Sequence, residues 1–128
     1  MDRSQVLSTL ATYIRAWVEQ DPDLILTIFS EDASYRERAY APPFIGHDQI
    51  RSYWANKVVK SQRNIRCNLL NLYIDGNTAI AEWEAEFDDK AEGLRKRLKE
   101  VAIIEFSSGL ISELREYWAS HDLERLTS

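Results

Sequence analysis

Residues 79 to 88 and 94 to 106 alternate so regularly between apolar and charged side chains that paired strands, with one face in solvent, are the structure they fit. In the first stretch Ala79, Ala81, Trp83, Ala85 and Phe87 alternate with Ile80, Glu82, Glu84, Glu86 and Asp88. In the second, Leu94, Lys96, Leu98, Glu100, Ala102, Ile104 and Phe106 alternate with Arg95, Arg97, Lys99, Val101, Ile103 and Glu105. Strand side chains have period two, so each set occupies one face. Setting Glu86 opposite Arg95, Glu84 opposite Arg97 and Glu82 opposite Lys99 brings unlike charges together, each pair contributing about 0.2–1 kcal/mol. This register sets Trp83 opposite Leu98 and Phe87 opposite Leu94, and a one-residue slip would bury the charged set. One face is expected to be a solvated charge ladder, the other apolar and aromatic. Lys90-Ala91 is poor hairpin chemistry, so a longer loop is expected there.

The neighbouring strands follow from turn signals. IRCNLLNLYI runs into Asp75-Gly76-Asn77, a hairpin signature. Ser107-Ser108-Gly109 suits a three-residue hairpin leading to a last strand. That puts Leu110, Ser112, Leu114, Glu116 and Trp118 on the apolar face, and Ile111, Glu113, Arg115 and Tyr117 on the other.

The N-terminal part is helical. Val6, Leu10, Tyr13, Ile14, Trp17 and Val18 form one apolar stripe over residues 3 to 20. Asp21-Pro22 ends it and opens a short second helix, with Asp21 as N-cap and Pro22 in the first helical position. Leu24, Ile25, Ile28 and Phe29 give that helix its buried side. The run from Phe29 to Trp54, FSEDASYRERAYAPPFIGHDQIRSYW, reads as a helix end, a strand, a Pro-containing crossing and a helix opened at Gly46. In the strand Tyr35 and Glu37 share one side, Arg36 and Arg38 the other. Pro42-Pro43 belongs in neither a central strand nor a helix interior, so that stretch is a crossing. The third helix spans about His47 to Lys60, with Ile50, Tyr53, Trp54 and Val58 at helical spacing.

Three helices followed by an antiparallel meander make an α+β fold: a cone-shaped curved sheet wrapped around the helices, in one domain over residues 1–128. The net charge of −5 disfavours nucleic-acid and anionic-membrane partners, which require a basic face. No apolar run approaches the ~20 residues of a membrane span, and the first residues lack a signal peptide's apolar core. A single cysteine, Cys67, forms no internal disulfide, so a cytoplasmic location is expected. Two histidines far apart in sequence give no metal signature, and no Gly-rich phosphate loop or Ser/His/Asp arrangement is visible, so no cofactor is expected.

The element order, with FSEDASY, PPFIGHDQI and the closing REYW, resembles the SnoaL-like families of the nuclear transport factor 2 superfamily, over nearly the whole chain. That resemblance implies a cystatin-like α+β barrel, a central pocket, and dimerisation through the outer sheet face. Because that face is charged here, the dimer is expected to be polar and salt-sensitive. The branch comparable by position is ketosteroid isomerase. Its spacing places Glu37 at the general-base carboxylate and Tyr13 at the oxyanion-hole tyrosine. Its protonated acid falls near Ala102, and alanine cannot donate a hydrogen bond.

The implied chemistry has a physical basis. A carboxylate in an aromatic pocket loses hydration, which raises its pKa toward a useful range for proton transfer. A tyrosine hydroxyl aimed at a developing enolate stabilises transition-state charge. Trp17, Trp83, Phe87, Leu114 and Trp118 would hold a small apolar molecule and exclude water, joined by Tyr35, Phe44, Trp54 and Leu98. His47, at the third helix's start, is either a cap-region residue or an accessory proton carrier; His121 is expected in solvent. Glu100 and Glu116 face each other on the concave side. Two close carboxylates resist joint ionisation and suit acid–base hydrolysis of a small ring, unless they flank an open rim. Three readings stay open: a cofactor-independent isomerase or cyclase acting beside a carbonyl (or its epoxide-hydrolase-like variant), a ligand-binding module without chemistry, and an accessory interaction subunit.

Overall fold

The Asp2 side chain accepts from the Gln5 N–H at 2.8 Å while Gln5 Oε1 accepts from the Asp2 N–H at 3.1 Å. This capping box opens α1 (Arg3–Val18). The computed structural model describes residues 1–127. α1 buries Val6, Leu10, Tyr13, Ala16 and Trp17. It ends two residues earlier than its apolar stripe suggests, because Gln20 turns to a left-handed φ of +56°; Val18 is exposed. Asp21 then accepts from the Asp23 and Leu24 N–H groups, both at 3.0 Å, and Pro22 starts α2 (Pro22–Leu26) as expected.

Phe29 begins β1 (Phe29–Arg36) rather than ending a helix, and Glu37 lies one residue beyond that strand. The Pro-containing crossing carries a two-residue edge strand, β2 (Phe44–Ile45), immediately after its prolines, paired antiparallel to β1. Gly46, at φ +82°, turns the chain into α3 (Gly46–Tyr53) where an added Cβ would lie 3.3 Å from the Glu31 carbonyl oxygen. α3 continues not as regular helix but as a π-helical turn over Trp54–Val59, from which Trp54 and Val58 are buried.

β3 (Gln62–Asp75), β4 (Thr78–Asp89), β5 (Leu94–Ser107) and β6 (Leu110–Arg125) complete the sheet. Strand order is β2-β1-β6-β5-β4-β3, curved and unclosed. The meander is antiparallel, but β1 runs parallel to β6, so the whole sheet is mixed. The helices cover its concave face, giving the α+β cone.

The faces of β4 and β5 are those expected, but the register differs by two residues. Glu86 faces Arg97, Glu84 faces Lys99, Trp83 faces Glu100 and Phe87 faces Lys96. The loop is the cause. Asp89 Oδ1 accepts from the Ala91 and Glu92 N–H groups at 3.0 and 3.1 Å, the Gly93 N–H donates to the Asp89 carbonyl at 2.9 Å, and Gly93 takes φ +68°. That Asx turn holds a four-residue loop and moves the pairing by an even number, which preserves the faces. The charge ladder survives: Arg97 reaches Glu84 at 3.2 Å and Glu86 at 3.3 Å, Arg95 reaches Asp88 at 3.0 Å, and Arg66 also holds Glu86.

The last hairpin corrects the sequence reading in two ways. Ser107 pairs directly with Leu110, and Ser108 and Gly109 both have positive φ, so the turn has two residues and not three. Glu105 then pairs with Glu113 but Phe106 with Ile111, leaving Ser112 as a bulge. The bulge turns Ile111 into the core (0% exposed) and leaves Leu110 outside (38% exposed), the reverse of the expected alternation. Beyond it Leu114 and Glu116 regain the concave face. Outside, Tyr73, Ile80, Val101 and Tyr117 remain exposed beside the charge ladder. No helix among the described residues is long and apolar enough to cross a membrane.

The bulge has a direct test in urea unfolding. Ile111→Ala is expected to cost about 2–5 kcal/mol, as for other buried large-to-small changes. Leu110→Ala is expected to cost about 0.5 kcal/mol or less. Equal losses would contradict the bulged pairing.

Candidate functional site

α1, the end of β1, the π-helical turn and the concave faces of β3 to β6 enclose a cavity of about 360 Å³. Its walls are apolar because the inward positions of these elements are: Trp17 from α1, Trp54 and Val58 from the π turn, Phe87 from β4, Leu98 from β5 and Trp118 from β6. Glu37, Arg38, Lys57, Asp89, Glu92 and Lys96 also line it, and its two most deeply buried carboxyl groups are Glu100 from β5 and Glu116 from β6, each only 5% exposed.

The strand register explains how they meet. Glu100 faces Trp118 and Ala102 faces Glu116, so the two glutamates are diagonal neighbours on one face rather than directly opposed. Their carboxyl groups are close enough that each shifts the other's protonation. The Trp83 indole N–H donates to Glu100 Oε2 at 2.6 Å. The Tyr35 hydroxyl donates to Glu116 Oε2 at 3.0 Å, and the Tyr13 and Tyr35 hydroxyls lie 2.7 Å apart. The Tyr13 hydroxyl also lies 3.4 Å from Glu116 Oε2. Tyr13 stacks on Trp83 with ring centroids 4.8 Å apart, a contact worth about 0.5–1.5 kcal/mol beyond its buried area.

These surroundings hold protons on the pair. Loss of hydration raises the Glu100 pKa to about 8, against the opposing hydrogen bonds from Trp83 and Glu116. Burial pushes Glu116 well above the usual carboxylate range, reinforced by the charge of Glu100. Burial and the nearby Glu116 carboxyl also raise Tyr13 and Tyr35, so both hydroxyls stay neutral. In the neutral pH range the pair therefore keeps at least one proton. One carboxyl can then present an acid and, once the pair has released its first proton, the other a base within a single coupled unit.

Glu37 lines the same cavity, on the side where Arg38 reaches solvent. Its carboxylate pairs with Arg38 Nε at 3.2 Å, while the Arg38 guanidinium sits 5.2 Å over the Trp118 ring. The Trp118 indole N–H donates to the Glu37 carbonyl oxygen at 2.9 Å, tying this corner to β6. Tyr13, Trp17, Tyr35, Trp54, Phe87, Leu98, Glu100, Glu116 and Trp118 also line the cavity. Four other candidates lie outside its lining. Trp83 and Leu114 are sealed beneath it, and Phe44 stacks on Tyr53 at 4.5 Å. His47 Nε2 lies 2.9 Å from the Phe29 carbonyl oxygen, where the start of α3 meets β1. Among the described residues no three His, Cys, Asp or Glu side chains are grouped to hold a metal ion.

The family model for the SnoaL-like domain matches residues 10–114. The chain belongs to the SnoaL-like family. No curated protein matches this SnoaL-like chain. Among solved structures, a hypothetical protein of ketosteroid isomerase-like fold from Catenulispora acidiphila, in complex with trimethylamine, is 17% identical over 85% of this chain and 83% of its own, with a TM-score of 0.76. The epoxide hydrolase/cyclase-like enzyme SalBIII, from pyran ring formation in salinomycin, is 22% identical over 92% and 93%, with a TM-score of 0.79. An epoxide hydrolase from M. tuberculosis is 15% identical over 91% and 84%, with a TM-score of 0.74. At these identities the likeness establishes the fold.

Sequence reading missed several polar groups of the SnoaL-like cavity, among them Tyr53 and Gln62. Tyr53 precedes Trp54 and lines the wall, which its helical spacing alone marks only as core. Gln62 is a buried cavity-lining residue at the first position of β3, before any alternation can assign it a face.

Folding raises the pKa of both glutamates, so between about pH 4.5 and 8 the folded chain binds more protons than the unfolded one. Their contribution to stability is complete below the ordinary carboxylate range and is lost as pH rises toward 8. Unfolding free energies between pH 5.5 and 7.5 are expected to fall by up to about 1.4 kcal/mol per pH unit for each proton the pair retains. In the Glu100→Gln/Glu116→Gln double variant this slope should flatten. An unchanged slope would contradict the proton-holding pair.

Proposed function

We infer that this SnoaL-like chain is a cofactor-independent acid–base enzyme that opens or closes an oxygen-containing ring, an epoxide or small cyclic ether, in a small and mainly apolar molecule. The observation that carries this reading is the Glu100–Glu116 pair, diagonal neighbours on adjacent strands and buried in an aromatic cavity. The cavity's 360 Å³ is at the small end of the ~300–1,000 Å³ of ligand pockets, which sets the substrate's size. The epoxide hydrolase/cyclase-like character of SalBIII and the epoxide hydrolase from M. tuberculosis, both C–O ring chemistries, support the choice of reaction class.

In this mechanism the protonated carboxyl gives its proton to the ring oxygen as the C–O bond breaks. The ionised carboxyl takes a proton from the attacking hydroxyl of water or of the substrate itself. The pair ends with the proton count it began with, roles exchanged, and proton transfer from one glutamate to the other resets it. Tyr35 and Tyr13 hold Glu116 in place, and the aromatic walls exclude competing water. The alternative drawn from the ketosteroid isomerase resemblance uses Glu37 as base and Tyr13 as donor. It is less favoured because the Tyr13 hydroxyl already bonds Tyr35 and Glu116, and Glu37 pairs with Arg38.

The test uses cyclohexene oxide and styrene oxide in ¹⁸O-water, and 4,5-epoxypentan-1-ol for internal closure, read by mass spectrometry. Wild-type protein is expected to form labelled diol or cyclic ether, and Glu116→Gln or Glu100→Gln to lose about 10²–10⁴-fold in kcat/KM. Full activity in both variants, with loss only in Glu37→Gln, would move the chemistry to Glu37. Binding of these compounds without turnover would favour the ligand-binding reading.

We further propose that two copies pair through the outer sheet face, where exposed Tyr73, Ile80, Val101 and Tyr117 adjoin the charge ladder. Sedimentation velocity is expected to show a dimer that weakens on dilution and shifts with salt. A monomer at every concentration and salt would contradict it.

A further inference from the structure

Gln62 is 6% exposed and lines the cavity. The Trp17 indole N–H, 2.8 Å away, is a donor without acceptor capacity, so the Gln62 atom facing it is the carbonyl oxygen and the amide orientation is fixed. The residue's backbone is fixed as well. Gln20, held at a left-handed φ of +56°, donates from Nε2 to the Gln62 carbonyl at 2.6 Å and to the Val58 carbonyl at 2.8 Å. The Gln62 Nε2 group donates to none of the described residues. Among them, the unpartnered side-chain polar atom that is sealed from solvent is Trp54 Nε1. Gln62 Nε2 therefore opens onto the cavity.

A buried amide held at its oxygen and backbone, with two unused donors turned to a ligand-sized space, is a preorganised reader of a hydrogen-bond acceptor. We propose that Gln62 is a specificity-determining residue, donating from Nε2 to a second oxygen of the ligand, an ether, carbonyl or hydroxyl oxygen separated by an apolar body from the oxygen at Glu100 and Glu116. The walls between are those already described: Trp17, Trp54, Val58, Phe87 and Leu98. The ligand is thus polar at two ends and apolar in the middle. This rests on the reading of the cavity as a substrate site.

Matched phenols test it without turnover: 4-methoxyphenol, 6-methoxy-2-naphthol and 4′-methoxybiphenyl-4-ol, each beside its methyl counterpart, measured by isothermal titration calorimetry. The phenolic end serves the carboxyl pair, and the three lengths span the cavity. At least one methoxy compound is expected to bind wild type about five-fold or more tighter than its methyl partner. Gln62→Glu keeps an oxygen for Trp17 but replaces the donor with an acceptor, and should abolish or invert that preference. Gln62→Met, which removes the amide altogether, should abolish it too. A methoxy preference unchanged in both variants, no preference in wild type for any pair, or no binding by all six compounds would overturn the proposal. Failure of the acid–base mechanism would show instead as turnover surviving Glu116→Gln, which these binding ratios do not read.

Discussion

Two carboxyl groups held out of water by one curved sheet are the constraint on which the site depends. An ionised carboxylate loses several kcal/mol of hydration on burial, and two adjacent ones repel as well. Here the cost is met by retention of a proton and by donors of fixed geometry. Trp83 serves Glu100, Tyr35 serves Glu116, and Tyr13 buttresses Tyr35. Each donor comes from a different element: β4, β1 and α1. The carboxyl pair thus couples the packing of the helical layer to that of the sheet.

That coupling explains features that look like ordinary core packing. Ala79, Ala81 and Ala85 flank Trp83 at the buried positions of β4, and the Tyr13 ring from α1 stacks on Trp83. Tyr35 has the same dual character, packed among Phe29, Phe44, Tyr53 and Trp54 at one end and hydrogen-bonded at the other. A tyrosine suits this position because a buried ring requires a partner for its polar tip. Removing either ring would open a cavity and leave a buried carboxyl short of a donor, so stability and chemistry are inseparable at these positions. Gln62 differs, since its oxygen is satisfied within the fold and its amide donors are not.

The parts legible in the sequence are those governed by local periodicity and capping. The stripe of α1, the Asp21-Pro22 start of α2 and the two faces of β4 and β5 all follow from spacing. Alternation alone assigns Glu100 and Glu116 to the concave side. What spacing does not contain is how loops set register. The Asp89 Asx turn moved β5 by two residues, and the bulge at Ser112 exchanged Ile111 for Leu110, because each involves backbone groups that charge patterning does not see. The same limit applies to His47. Its position at the start of α3 was clear, but its hydrogen bond to the Phe29 carbonyl depends on how α3 packs against β1. The ketosteroid isomerase resemblance points to Glu37, whose carboxylate pairs with Arg38, whereas the buried acid pair lies on the last two strands.

The most direct measurement is a ¹³C NMR titration of the glutamate side-chain carboxyl carbons, assigned with Glu100→Gln and Glu116→Gln, in folded protein from pH 4 to 9. The expected result is that the Glu100–Glu116 pair keeps a proton through neutral pH and first releases it near pH 8, with each substitution shifting the partner's resonance. Both carboxyls titrating independently at an ordinary glutamate pKa of about 4.3 would show a solvated pair, and would contradict acid–base chemistry at this site.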